Sequence, residues 1–169
     1  QLFAPKPLAK ILRWTVEFMT GIPTVVYGFA ALFFLVPAMR RIFRYGTGLS
    51  VLTASLMLAL LVLPTITLIA QDRLSTVPKS QVFAALSLGA SRMETFLHVL
   101  LPGAWRGLIS EVVLGAGRAV GDTLIALMLA GNAVALPGSL LDSARTLTAH
   151  IALVTAADYE SLSFKAIFV

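Results

Sequence analysis

The sequence predicts an all-α membrane protein, a bundle of several spanning helices, and three observations carry that prediction. Of 169 residues, 58% are apolar and 12% are charged, against about 45–50% and about 25% in a soluble globular domain. Mean hydropathy is +0.90. The charges fall between long uncharged runs rather than through them. A soluble enzyme is excluded as the ordinary reading, and the lack of cysteine excludes disulfides, iron–sulfur ligation and thiol catalysis. Net charge is +5, yet the 13 Lys and Arg are scattered, with no run longer than Arg40-Arg41. That pattern fits side chains facing anionic headgroups, not a nucleic-acid surface.

The chain opens Gln-Leu-Phe-Ala-Pro, without Met and without the three regions of a signal peptide, and stops in the apolar Ala-Ile-Phe-Val. It reads as an internal piece of a longer protein, so the span count is a minimum. About 20 apolar residues cross a bilayer. Residues 22–39 are uncharged and, with the turn around Phe18, give a first span at 18–39; residues 45–71, also uncharged, give a second. Residues 107–131 are apolar but carry Glu111, Arg118 and Asp122; at 1.5 Å per residue they reach about 37 Å and form a third. A fourth begins near Leu162. The connection 132–158, with Pro137 and Gly138, holds a short helix near 144–154.

The segment 72–106 is too polar to cross and too apolar to be disordered. Two short helices fit it, 78–88 opened by Pro78 and 91–101 capped by Ser91 with Glu94 three residues on, turning at Gly89 and ended by Pro102. Alternate sides of the spans carry seven Lys or Arg (Lys6, Lys10, Arg13, Arg73, Lys79, Arg92, Arg106) and four (Arg40, Arg41, Arg44, Arg145). The first side, with segment 72–106, is assigned to the cytoplasm.

Phe83-Ala84-Ala85, three residues, Gly89, nine residues, then Val99-Leu100-Leu101-Pro102 resembles the Glu-Ala-Ala signature of ABC-importer permeases. The resemblance implies a type I permease bundle in which Phe83, Ala84, Ala85, Gly89, Leu101 and Pro102 belong to the loop that couples to a cytoplasmic ATPase. Phe83 departs from the signature's Glu and offers apolar packing instead of a charge-assisted contact. Ile22-Pro23-Thr24-Val25-Val26-Tyr27-Gly28-Phe29, Gly117-Arg118-Ala119-Val120-Gly121-Asp122-Thr123 and Arg145-Thr146-Leu147-Thr148-Ala149-His150 are similar to permease subunits of the phosphate-specific (Pst) importer, the C-type more than the A-type. This implies a multi-pass bacterial inner-membrane subunit without a cofactor. Its implied partners are an ATPase, a second permease subunit, a periplasmic phosphate-binding protein and the bilayer, with no nucleic acid.

On a continuous helix Glu111, Arg118 and Asp122 lie within roughly 40° of one another. Charges at membrane depth cost about 2.5–3.5 kcal/mol each on insertion scales and face protein or water. Arg118 offers a donor fork to a tetrahedral oxyanion, and Asp122, four residues on, can hold that fork or select a protonated anion. The alternative is mutual neutralisation as a packing device. The resemblance implies a substrate path at Arg118, Asp122 and Thr123, with Asp122 in place of the more usual Glu. Glu111, nearer the cytoplasmic end, reads as a snorkelling or interface residue. Gly117 and Gly121 read as a small-residue pair for a packing helix, and Pro64, with Thr65 and Thr67, as a kink that could line a path.

His98 and His150 lack a second ligand at metal spacing. The chain has no GxxxxGK[ST], so ATP hydrolysis falls to a separate subunit and the chain is not itself an enzyme. Other readings are a permease for molybdate or sulfate, a purely structural membrane subunit, and an intramembrane protease, which lacks paired catalytic groups at depth.

Overall fold

The computed structural model describes residues 5–157. The described residues are mostly helical: α1 Lys6–Gly21, α2 Thr24–Phe33, α3 Leu35–Phe43, α4 Val51–Ser75, α5 Lys79–Ser87, α6 Arg92–Thr95, a π-helical turn Phe96–Leu100, α7 Leu101–Gly121, α8 Thr123–Leu129 and α9 Leu147–Ala157. Val51–Ser75 and the helical run Arg92–Gly121 are long and apolar enough to cross a membrane. The expected span from Leu162 lies outside the described residues. The described residues divide into two compact units, one of residues 5–21 and 62–117, the other of 22–61 and 118–157.

In the first unit the second half of α4 packs against α7 along a stripe spaced by four residues. A Cβ at Gly107 would come within 2.9 Å of Arg73 Cδ, and one at Gly115 within 2.6 Å of Ile66 Cδ1. Glu111 stands between them at the same spacing. Glycines at these positions let the α4 side chains lie on the α7 backbone. Gly117 and Gly121, read from the sequence as the packing pair, have nothing within 4 Å of an added Cβ. The close-approach stripe is therefore Gly103, Gly107 and Gly115. Val77, Leu100 and Ala104 form the apolar cluster at the end of the stripe, with Leu74, Val82, Phe96 and Leu108 around it. Pro64 is fully buried within α4, and Thr67 donates its hydroxyl to the Leu63 carbonyl at 2.7 Å. Pro64 is thus packed against neighbouring side chains among the described residues.

In the second unit Tyr27, Ala31, Met57, Leu61, Ile125 and Leu129 make the core. The first turn of α4 would leave N–H groups without partners. The end of α8 and the loop after it supply them: Ser50 N–H donates to Leu129 O (3.0 Å), Val51 N–H to Asp142 O (3.0 Å) and Leu52 N–H to Leu140 O (2.8 Å). Ser143 adds a hydroxyl bond to Leu49 O at 2.8 Å.

Three breaks depart from the expected helices, each with a local cause. The stretch 18–39 is not one helix: Pro23 disfavours helical backbone at Ile22, separating α1 from α2. Pro37 sits in the first turn of α3, where its missing N–H is tolerated but its ring would clash with the Phe33 carbonyl of an uninterrupted helix, so the chain breaks at Phe34. The stretch 107–131 breaks at Asp122, whose backbone is extended. Pro102, conversely, does not end its helix. The π-helical turn just before it shifts the hydrogen-bond register, Leu101 N–H donating to Phe96 O, and so takes up the bond that proline cannot make.

Candidate functional site: the coupling segment and the Asp122 break

The segment from Lys79 to Pro102 is a double turn. At the end of α5, Gly89 N–H donates to Leu86 O and Ala90 N–H to Ala85 O, both at 3.1 Å. This is the Schellman closure, and it needs a left-handed residue at position 89, where Gly89 has φ +90°. The four-residue spacing of Ala85 and Gly89 in the motif therefore has a mechanical meaning: the first supplies the carbonyl, the second the turn. Two residues on, Glu94 N–H donates to Ser91 Oγ (3.2 Å) and Ser91 N–H to Glu94 Oε2 (2.7 Å), a complete capping box that starts α6.

On α5 and the turn that ends it the chain presents apolar side chains outward. Phe83 is 64% exposed and Leu88 89% exposed. Ala84 and Gly89 are exposed too, Ala85 is half-buried, Leu101 is half-buried and Pro102 is exposed. All six motif residues lie in the first unit, with Phe83 to Gly89 on the α5 turn and Leu101-Pro102 at the start of α7. A cavity of about 570 Å³ adjoins them, with Leu74, Val82, Phe83 and Leu100 on its apolar wall and Arg13, Asp72 and Lys79 among its charged groups.

Glu111 is not a snorkelling residue. It is 5% exposed, and its Oε1 accepts from Arg73 Nε at 3.1 Å and Nη2 at 2.8 Å. A carboxylate so far from water needs such a partner. Glu111 Oε2 is buried and without a hydrogen bond among the described residues. The sequence reading missed Arg73 as its partner because 38 residues separate the two. The four-residue stripe of Gly103, Gly107, Glu111 and Gly115 was the available signal that Glu111 faces a neighbouring helix.

The second site is the α7–α8 junction. Arg118 is exposed in the last turn of α7, whereas Asp122 is off the helix, with φ −74° and ψ 106°. Its Oδ1 accepts the Ile125 N–H at 2.9 Å, capping α8. The expected single helical face of Glu111, Arg118 and Asp122 is thus corrected: only the first two share α7. The physical reason is that Asp is a strong N-cap and a weak helix former. Thr123 follows as the first residue of α8, half-buried. Arg118, Asp122 and Thr123 therefore gather at a backbone break in an otherwise apolar stretch. Non-helical backbone at membrane depth is tolerated where it is buried in protein or lines a wet cavity.

On the remaining histidines, His98 Nδ1 lies 3.1 Å from Glu94 O. His150 Nδ1 lies 3.4 Å from Arg145 Nη1, and Arg145 Nε donates to Asn132 O at 3.1 Å.

The model of the binding-protein-dependent transport system inner membrane component family matches residues 2–158. "Probable ABC transporter permease protein YqgH" of Bacillus subtilis is 43% identical over 89% of this chain and 48% of its own length. The phosphate transport system permease protein PstC of Mesorhizobium japonicum is 32% identical over 88% of the chain and 51% of its own, and that of Haemophilus influenzae 30% over 88% and 53%. The chain spans about half the length of the curated relatives it matches. No solved structure matches it. The chain, mostly helical over its described residues with two helices among them long and apolar enough to cross a membrane, and matched over nearly its whole length, belongs to the family of binding-protein-dependent transport system inner membrane components.

Proposed function

We propose that this chain is part of a permease subunit of an ATP-driven phosphate importer in the bacterial inner membrane. The observation that carries it is the run of phosphate transport permeases, each matched over most of this chain at about 30% identity. The subunit forms a translocation path with a second permease and receives its anion from a periplasmic binding protein. It has no nucleotide site of its own; the α5 turn, with Phe83 and Leu88 outward, meets a separate ATPase through apolar packing.

The path passes the Asp122 break. Arg118 contributes a permanently charged five-donor fork suited to a tetrahedral oxyanion. With the carboxylate of Asp122 engaged as a cap, its negative charge is held in place beside the passing anion. A fixed carboxylate disfavours a fully deprotonated oxyanion and tolerates one that can donate a proton, which separates hydrogen phosphate from sulfate. Thr123 adds a hydroxyl that both donates and accepts.

Proteoliposomes holding the full-length importer, loaded with ATP and supplied with the binding protein, test the substrate directly. Labelled phosphate accumulates and labelled sulfate and molybdate do not. Accumulation of sulfate or molybdate in preference to phosphate would overturn the assignment.

A further inference from the structure

The α3 segment carries a cationic patch that neither the path nor the coupling turn uses. Val36 and Met39 of α3 are buried, while Arg40, Arg41 and Arg44 are exposed, and none has an ion pair among the described residues. Asp142, which accepts from Tyr45 Oη at 3.3 Å, has its other oxygen engaged by the N–H groups of Gly138 and Ser139. Large apolar side chains flank the arginines: Phe34 is 79% exposed and Ile42 69%, with Tyr45 exposed next in sequence. Arginines beside exposed aromatic and aliphatic groups on an amphipathic helix are the composition of a headgroup-level anchor.

Two backbone observations fix the charges there. Arg44 closes α3 in the left-handed conformation, φ +48° and ψ 28°, where a glycine is the unstrained choice. The chain keeps an arginine at the strained position although glycines stand at 46 and 48. A Cβ at Gly48 would meet Arg40 Cγ at 2.5 Å, so the missing side chain at 48 makes room for the Arg40 stem. In the orientation expected from the charge count, these arginines also lie on the side with fewer cations, against the usual bias. An anionic contact on that side would compensate for them.

We infer that Arg40, Arg41 and Arg44 form a binding site for the phosphate groups of anionic phospholipids at the membrane surface, with Phe34 and Ile42 in the adjoining acyl region. The full-length permease, purified in detergent, is titrated with phosphatidylglycerol or phosphatidylcholine and retained lipid is read by native mass spectrometry. The wild type retains phosphatidylglycerol in preference to phosphatidylcholine. Arg40→Gln, Arg41→Gln and Arg44→Gln together weaken phosphatidylglycerol retention on the order of 100-fold, from about fivefold, or about 1 kcal/mol, per arginine. The triple Lys variant keeps most of it. Arg44→Gly, which suits the backbone but lacks the charge, melts no lower than wild type and binds about fivefold more weakly. Equal retention of both lipids, or unchanged phosphatidylglycerol retention by the triple Gln variant, overturns the inference. So does displacement of the lipid by millimolar inorganic phosphate, which assigns the arginines to the free anion. Loss of binding-protein docking with lipid retention intact assigns them to a protein partner instead, and also overturns it.

Discussion

Removing Arg73 should damage the first unit far more than removing the charge that it neutralises. Glu111 is 5% exposed and spends both of its described hydrogen bonds on Arg73 through one oxygen. Breaking a buried ion pair by deleting one partner costs about 3–5 kcal/mol, because the other charge is left behind without water or counter-charge. The Arg73 side chain is 49% exposed, so solvent already screens the pair, and the figure for Arg73→Leu falls to about 2–3 kcal/mol. Glu111→Gln removes the buried charge, keeps an acceptor for the guanidinium and leaves Arg73 at the surface, so it costs about 1 kcal/mol or less. With the charge already gone, adding Arg73→Leu costs little more, and the double variant stays close to Glu111→Gln. The coupling is about 2 kcal/mol, a factor of about 30 in the folded-to-unfolded ratio. Reversible unfolding of the full-length protein in detergent, followed by helical circular dichroism for the four members of the cycle, measures it. If Arg73→Leu costs no more than Glu111→Gln, or if the two effects simply add, the ion pair is not what satisfies the buried carboxylate.

Three further outcomes follow from the same geometry. Gly89→Ala at φ +90° destabilises the α5 turn by about 1 kcal/mol; hydrogen exchange at the Gly89 and Ala90 amides quickens, while that of the middle of α7 does not. Gly115→Val, whose Cβ would sit 2.6 Å from Ile66 Cδ1, costs about 1–3 kcal/mol by overpacking, whereas Gly117→Ala, with open space around it, is neutral or stabilising by up to about 1 kcal/mol; thermal melting of the two variants separates a packing face from a free one. Asp122→Ala loses the bond to Ile125 N–H and lowers stability by about 1 kcal/mol, while Asp122→Asn retains a capping oxygen and melts within a few tenths of wild type.

Much of the segment from Lys79 to Pro102 was legible in the sequence because its signals are local. Ser91 and Glu94 lie three residues apart and close on each other; Gly89 stands where a left-handed residue is needed. The Asp122 break was harder to read. Periodicity across 107–131 says helix, and an Asp in an apolar helical pattern reads as a charge on a face until the backbone shows it capping the next helix. Pro102 was misread for the converse reason: proline is a helix stop only where the register cannot shift, and the π-helical turn at Phe96–Leu100 provides the shift. Which glycines face a neighbour could not be read from their spacing. Gly117 and Gly121 have the same four-residue repeat as Gly103 and Gly107, and only the position of α4 distinguishes them. The Arg73–Glu111 pair belongs to the same class of tertiary fact. Phe83 is the informative departure: its exposure follows from the α5 turn, and the chemistry that it offers a partner is apolar, where the resembling signature carries an acid.

Whether phosphate passes Arg118 and Asp122, as we propose, is decided by its uptake through two variants. Proteoliposomes carry the full-length importer as wild type, Arg118→Ala or Asp122→Asn, with assembly and ATPase stimulation by the binding protein checked in each. Losing a charge-assisted contact worth about 1.5–3 kcal/mol lowers labelled-phosphate uptake by Arg118→Ala about 10- to 150-fold. Asp122→Asn, with the cap kept and the charge gone, relaxes discrimination against sulfate. Wild-type uptake by the Arg118→Ala importer, with unchanged phosphate selectivity in Asp122→Asn, would put the substrate path elsewhere and leave the break as a structural feature of the helix.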